Sequence, residues 1–139
     1  MTFYEYKTRS SLPGWKFKKV VQEDILNIVY IHPLKQRLVA DIVKAAYNDV
    51  GVKSIRVFGS AITNRCDPES DLDLCIEWNF DCYDENGVLV PETVCFMRQI
   101  SLLSNGNCDV VHYQYLGGTV VEEAAKGGVL VYVSDVEPE

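Results

Sequence analysis

The chain has 139 residues, which predicts one domain that is large enough to bury its own hydrophobic core. Its net charge of −7 argues against sequence-independent binding of nucleic acid, because such proteins need a basic surface. The five cysteines have no CxxC spacing, the amino terminus has no signal-peptide pattern, and no apolar run approaches the ~18–20 residues that cross a bilayer. We therefore expect a soluble cytoplasmic protein with no disulfide framework, no zinc site and no membrane association.

Residues 1–31 are predicted to be an N-terminal arm or extension, followed by a domain over residues 32–139. Residues 1–19 carry five basic side chains against one acidic side chain, whereas the remainder of the chain is strongly acidic. This basic stretch fits a solvated surface or a segment that docks an acidic partner or an anionic substrate. Residues 15–31 fit a strand and a helix equally well.

The first clear elements are a helix and two strands. Pro33 suits the first position of a helix whose apolar residues recur at helical spacing, and Gly51 is the expected stop. Residues 55–58 read as a short strand. Residues 71–78 read as a second strand, since apolar and polar side chains alternate along it.

The second half of the chain alternates between strand and helix patterns. Asn86-Gly87 is a hairpin signal, and Pro91 opens a helix through Leu103. Residues 108–113 form a predicted third strand, residues 119–126 a short helix, and residues 129–133 a last strand. The chain is therefore predicted to be an α/β or α+β domain, with a small mixed sheet flanked by helices.

Gly59-Ser60 follows the first strand and precedes a predicted helical turn. Glycine lets the backbone approach a ligand closely, and free backbone N–H groups favour a phosphate. Taken alone, such a pair is most often an ordinary turn with a capping serine.

Three acidic residues complete the pattern. Asp71 and Asp73 fall on one face of the second strand, and Asp109 begins the third strand. Carboxylates on one face repel each other, a cost that a shared divalent cation removes, and magnesium prefers such oxygen ligands. If the two strands are neighbours, the three acids could hold two ions about 3.5–4 Å apart. His112 falls on the opposite face from Asp109 and is expected to be a core histidine.

The order and spacing of these pieces resemble the signature of the DNA polymerase beta-like nucleotidyltransferase superfamily. Gly59-Ser60, a spacer of ten residues, Asp71-Leu72-Asp73 and the strand around Asp109 all match, and the resemblance covers residues 34–133. It implies that Gly59 and Ser60 bind the phosphates of a nucleoside triphosphate. It also implies that Asp71, Asp73 and Asp109 hold Mg²⁺, with Asp109 nearest the acceptor hydroxyl.

The small size resembles the minimal nucleotidyltransferases, which are single domains. That likeness implies transfer of AMP from ATP to a tyrosine of a helical HEPN-type partner, as in the antitoxins of toxin–antitoxin pairs. Many minimal members carry an arginine soon after Gly-Ser, whereas in this chain Ala61 and Ile62 follow directly, so Arg65 is the candidate phosphate-binding cation. Residues 1–31 have no match in that type and could complete the sheet, mediate dimerisation or meet the acceptor.

Two other functions remain open at this stage. The domain could be a non-catalytic module that binds nucleotide or masks a partner protein. It could also transfer a nucleotide to a small molecule or to a nucleic acid, although the acidic balance disfavours the nucleic acid.

Overall fold

The computed structural model describes residues 31–134, which fold around a four-stranded sheet. The strands are β1 (Val52–Phe58), β2 (Leu72–Trp78), β3 (Cys108–His112) and β4 (Val129–Val133). Their order is β3-β2-β1-β4. Strand β1 runs antiparallel to β2 and β4, while β2 runs parallel to β3. The prediction of a small mixed sheet is therefore confirmed.

Three α-helices flank this sheet, as the apolar patterns predict. They are α1 (Pro33–Tyr47), α2 (Pro91–Ser104) and α3 (Val120–Lys126). Proline occupies the start of α1 and α2, where its missing N–H has no helical partner to lose. Thr119 and Glu122 form a capping box at the start of α3.

The main core lies between one face of the sheet and helices α1 and α2. Alternate residues of β1, β2 and β4 supply the sheet side of this core, because side chains on a strand alternate between its two faces. The fully buried members that carry most of this packing are Ile42, Val43, Ile55, Val57, Leu72, Leu74, Ile76, Phe96 and Ile100.

The opposite face of the sheet is covered only in part, by α3 and the chain after β3. A small second cluster of Phe58, Cys75 and Ala125 packs there. The Arg56 guanidinium lies 5.0 Å from the centre of the Tyr113 ring on the same side. Because α3 is short, this face keeps room for a site.

Two expectations differ from the structure in detail. The signal at Asn86-Gly87 produces a turn with one isolated bridge, Tyr83 to Leu89, in place of two hairpin strands. Asp84 fixes this turn, since its side chain accepts hydrogen bonds from the following backbone N–H groups. Helix α1 ends at Tyr47, before Gly51, and the glycine instead allows close packing against Phe80.

Several predictions concern residues outside 31–134. The basic stretch of residues 1–19 and most of the ambiguous segment 15–31 lie outside the described residues. The division at residues 31 and 32 therefore stays a prediction. Within the described range, no helix is long and apolar enough to cross a membrane.

Candidate functional site

The pairing of β2 with β3 brings Asp73 beside Asp109. In the parallel register, Asp73 lies directly opposite Asp109. Neighbouring strands are about 4.8 Å apart, and residues paired in this way point to the same face of the sheet. Asp73 also pairs with Phe58, the last residue of β1, so both acids lie at the end of the sheet where β1 enters the Gly59–Ile62 turn.

Asp71 directly precedes β2 and is exposed. A turn before Asp71 and a backbone hydrogen bond after it fix its position. Before it, Asp67 and Ser70 close a tight loop, in which the Asp67 carboxylate accepts hydrogen bonds from the Glu69 N–H and the Ser70 hydroxyl. After it, the Leu72 N–H donates to the Asn107 carbonyl at 2.9 Å, which joins the starts of β2 and β3.

The charges of Asp109 and Asp71 act on the Asp73 carboxyl group. Burial raises the pKa of Asp73, and the nearby charges of Asp109 and Asp71 raise it further. The Cys108 thiol, next to this group, has its pKa raised to about 12, first by burial and then by the same three acids. Like charges held this close disfavour ionisation, which is the situation that a divalent cation relieves.

Gly59 is required where it stands, because its backbone touches the Asp73 carboxylate. Its φ is +75°, and a Cβ at this position would clash with the Asp73 Oδ2. The residue therefore connects the end of β1 to the acids with no side chain between them. Ser60 follows in a 3₁₀ turn. The Ser60 carbonyl accepts a hydrogen bond from the Thr63 N–H, with an N···O distance of 2.9 Å.

Arg65, the expected phosphate-binding cation, follows the Gly59–Ile62 turn along the chain. It is exposed, and its backbone N–H donates to the Thr63 hydroxyl at 3.2 Å. Among residues 31–134 its guanidinium makes no ion pair and no hydrogen bond, so its role stays a prediction.

His112 lies on the face predicted for it, opposite Asp109. Its Nδ1 accepts a hydrogen bond from the Trp78 indole N–H at 3.0 Å, and the Tyr83 ring meets it edge to face. Burial lowers the pKa of His112, so the neutral ring that accepts this bond is favoured. These contacts make it a packing residue of the core.

Lys35 is a buried charged residue of α1 that the sequence pattern does not single out. The apolar residues that recur at helical spacing in α1 are Leu34, Leu38, Ile42, Val43, Ala46 and Tyr47. Ile42, Val43 and Ala46 are buried as expected, and the other buried side chains of the helix are Lys35 and Val39. That set also has helical spacing. A lysine in phase with a buried stripe is the signal that identifies it.

The donor chemistry of the site fits magnesium, since Asp71, Asp73 and Asp109 supply only hard carboxylate oxygens. The pairing of Asp73 with Asp109 on neighbouring strands is the structural observation that agrees with this fit. Within the described range, no group of three or more Asp, Glu, His or Cys side chains is gathered closely enough to hold one ion.

A separate cavity of about 450 Å³ opens at the other end of β2. Its walls include Lys53, Trp78, Phe80 and Tyr115. Trp78 is five residues beyond Asp73 on the same strand, or about 17 Å at ~3.3 Å per residue. The acids and this cavity are therefore different regions of the surface.

Comparison with known proteins agrees with this geometry. A search of curated proteins found no match. The family model described as polymerase beta, nucleotidyltransferase, matches residues 40–137 and so includes both strands that carry the acids and the Gly59–Ile62 turn. This chain belongs to the polymerase beta nucleotidyltransferase family.

Proposed function

We propose that this protein uses Mg²⁺ to transfer a nucleoside monophosphate, AMP in the first instance, from a nucleoside triphosphate to a hydroxyl acceptor. The family supports nucleotidyl transfer in general. The observation that carries the specific proposal is the pairing of Asp73 with Asp109 directly beside Gly59. A triphosphate on the Gly59-Ser60 turn would then have its α-phosphate next to the acids.

Each residue has a distinct task in this reaction. Asp71 and Asp73 would hold the metal ions, which neutralise phosphate charge when bound. Asp109 is exposed on β3, so an acceptor can approach it from solvent. Its carboxylate would take the hydroxyl proton while the acceptor oxygen bonds to the α-phosphorus. The bond from that phosphorus to the bridging oxygen then breaks, and pyrophosphate leaves.

The proposed acceptor is a tyrosine of a small helical partner of the HEPN type. The small domain supports this choice, since a separate protein can present its own hydroxyl at the open face of the sheet. All five cysteines are free thiols, which suits the reducing cytoplasm that we propose as its location. A homodimer is an alternative assembly that the same experiments would detect.

The decisive experiment compares the wild-type protein with Asp73→Asn and Asp109→Asn. Each is incubated with ATP, MgCl₂ and the helical protein encoded next to it, if the genome has one, and the partner is weighed by mass spectrometry. Wild type should add one AMP, and both variants should lose at least about 100-fold in rate, as removal of a group that stabilises the transition state does. Glu85→Gln, in the exposed turn far from the acids, is the matched control.

Three results would count against this function. Transfer by Asp73→Asn at the wild-type rate would remove the metal-site assignment. Failure of wild type to bind any nucleoside triphosphate with magnesium, measured by calorimetry, would favour the non-catalytic module that masks its partner. Transfer to a small molecule or to RNA, with no label on protein, would replace the proposed acceptor.

A further inference from the structure

The last turn of α2 exposes two neighbouring leucines. Leu102 is 80% exposed and Leu103 is 42% exposed. The turn that carries them is fixed, because the hydroxyl of the buried Ser104 donates to the carbonyl of Ile100, a buried core residue, at 2.8 Å. The packing of the helix therefore holds both leucines at the surface. We call Leu102 and Leu103 the leucine patch.

The leucine patch borders the edge of the sheet that carries Asp109. Asn105 and Gly106 connect the patch to β3, and all residues from 101 to 109 except Ser104 are at least partly exposed. Helix α2 packs on the face of the sheet opposite Asp109, and β3 is the end strand of the sheet that residues 31–134 form. The patch and Asp109 therefore lie on the two sides of the same edge, so a protein that covers this edge contacts both.

The proposed reaction brings the acceptor to this edge. The Gly59–Ile62 turn follows β1, Asp73 lies on β2 and Asp109 lies on β3, in the order in which the strands stand in the sheet. In nucleotidyl transfer the attacking oxygen and the leaving oxygen lie roughly in line, on opposite sides of the phosphorus. With the leaving pyrophosphate on the Gly59–Ile62 turn, the acceptor oxygen enters from the side of β3, where the leucine patch lies.

The same end of the molecule is acidic. Asp67, Glu69 and Asp71 are exposed in the loop that leads into β2, and the Leu72 N–H joins this loop to the start of β3 through the Asn107 carbonyl. Asp67 and Glu69 are not proposed metal ligands, so their charges remain when metal is bound. A docking face that combines apolar and basic side chains complements the leucine patch and these acids. The phosphates of a nucleic acid would meet like charge here.

We propose that the leucine patch and the edge of β3 are the docking surface for the acceptor protein. One helix of that protein covers Leu102 and Leu103 with its apolar face, and basic side chains beside this face lie against Asp67 and Glu69. Its tyrosine hydroxyl then meets Asp109. The inference rests on the function proposed above and names the surface by which the site selects a protein acceptor. The chemical step is unchanged, because the leucine patch contacts the acceptor protein and not the reacting atoms.

The test measures AMP transfer to two acceptors, the helical protein encoded beside this chain and N-acetyltyrosinamide, which is too small to contact the patch. Leu102→Gln combined with Leu103→Gln removes the apolar patch and keeps a good helix former at both positions. The KM of this variant for the helical protein should rise about 10-fold or more, as the loss of apolar contacts at the centre of an interface does. Its kcat with the helical protein and its rate with N-acetyltyrosinamide should stay within about twofold of wild type, because only binding is changed.

Val120→Gln combined with Val121→Gln is the matched control. These valines are also adjacent, helical and apolar, and they are 87% and 65% exposed. The control should match wild type with both acceptors. An equal rise of KM in the two double variants would mean that any loss of apolar surface weakens binding of the acceptor protein, and it would overturn the assignment to α2.

Two synthetic helical peptides test the chemistry of the docking face without the natural partner. Each peptide has one tyrosine and a face of leucines, which lysines flank in one peptide and glutamates flank in the other. Wild type should modify the lysine peptide at least about threefold faster, and the difference should shrink at high salt. Glu69→Gln should reduce this preference, whereas Glu85→Gln, in the exposed turn after Asp84, should keep it. Equal rates for the two peptides would overturn the proposed charge complementarity.

Other outcomes separate this inference from the proposed function. If wild type modifies the helical protein and Asp73→Asn does not, an unchanged KM in the double leucine variant would overturn the docking surface alone. A parallel loss of rate with N-acetyltyrosinamide would mean that the leucines support the fold of the site, which would also overturn it.

A binding measurement tests the docking surface even if no AMP is transferred. The helical protein is titrated into wild type and into both double variants by calorimetry. An affinity that falls at least about fivefold in the leucine variant, and not in the valine variant, would support the docking surface without the proposed chemistry. An affinity that is unchanged in the leucine variant would overturn it.

Discussion

At the scale of single residues, the site depends on a glycine that touches a carboxylate. Gly59 and Gly87 have nearly the same left-handed backbone, with φ of +75° and +76°. A Cβ at Gly59 would clash with Asp73, whereas a Cβ at Gly87 would have no atom within 4 Å. Alanine substitutions at these two glycines therefore separate the free-energy cost of backbone strain from the cost of the clash with Asp73.

Gly87→Ala should lower the free energy of unfolding by about 1–2 kcal/mol, the cost of placing a side chain in this conformation. Gly59→Ala should lower it by a further ~1–3 kcal/mol, because its methyl group displaces the Asp73 carboxylate. Urea unfolding of both variants measures the difference. Equal losses of unfolding free energy in the two variants would mean that the Asp73 carboxylate moves aside without cost.

Asp73→Asn should stabilise the metal-free protein near pH 7. Burial, Asp109 and Asp71 raise the pKa of Asp73 in the folded chain above its value of ~3.9 in the unfolded chain. The native state therefore binds more protons than the unfolded state between these two pKa values, and stability falls as the pH rises through them. The gain in the free energy of unfolding from asparagine should be present at pH values above the pKa of Asp73 in the folded chain. It should disappear below pH ~3.9, the pKa in the unfolded chain.

Urea unfolding at several pH values, in EDTA and then in MgCl₂, tests this expectation. Magnesium should raise the stability of wild type more than that of Asp73→Asn, because an ion that binds only the native state stabilises it by mass action. A variant that is less stable than wild type at every pH in EDTA would show that the carboxylate makes favourable contacts instead.

At the scale of elements, the start of α1 links stability to pH. His32 caps this helix, and its Nδ1 accepts the Leu34 N–H at 3.1 Å. Burial, and then the charge of Lys35, lower the pKa of His32 from 6.5 to about 4. Between these values the unfolded chain binds more protons than the native state, so stability should fall as the pH falls from 6.5 toward 4.

His32→Asn should reduce this dependence, since asparagine also caps helices and does not titrate in the range. The free energy of unfolding of the variant, measured by urea between pH 7 and about 4, should change less than that of wild type. His112 is present in both proteins, so its own lowered pKa contributes equally and cancels in the comparison. If the free energy of unfolding of the two proteins changes equally with pH, His32 is excluded as a source of acid sensitivity.

The elements themselves could be predicted from local signals, with informative exceptions. Proline and apolar spacing locate α1 and α2, and alternation locates β2. The turn at Asn86-Gly87 forms only one bridge, because the side chain of Asp84 satisfies the backbone there without a second strand pair. Ile42, Val43 and Ala46 of the expected apolar stripe of α1 are buried as predicted. Lys35 and Val39 occupy the buried positions of the first turns, where the spacing also fits Leu34 and Leu38.

At the scale of the whole molecule, the sequence could not fix the order of the strands. Asp73 and Asp109 are far apart in the chain, and only the parallel pairing of β2 with β3 makes them neighbours. That pairing requires α2 to cross over one face of the sheet, which depends on tertiary packing and not on any local pattern. Motif spacing indicated the family, whereas the tertiary fold determined which face of the sheet carries the site.

The turn that joins α2 to β3 has a consequence for which side chains reach the site. Asn105 and Gly106 both have positive φ, at 53° and 76°, and they reverse the chain within two residues. Because strand side chains alternate, an insertion or deletion of one residue here would rotate Asp109 into the hydrophobic interior and place Cys108 or Val110 on the face that carries Asp73 instead. The number of residues in this reversal therefore determines whether Asp109 can take part in the proposed reaction, and a change of length there would abolish that role without replacing any acid.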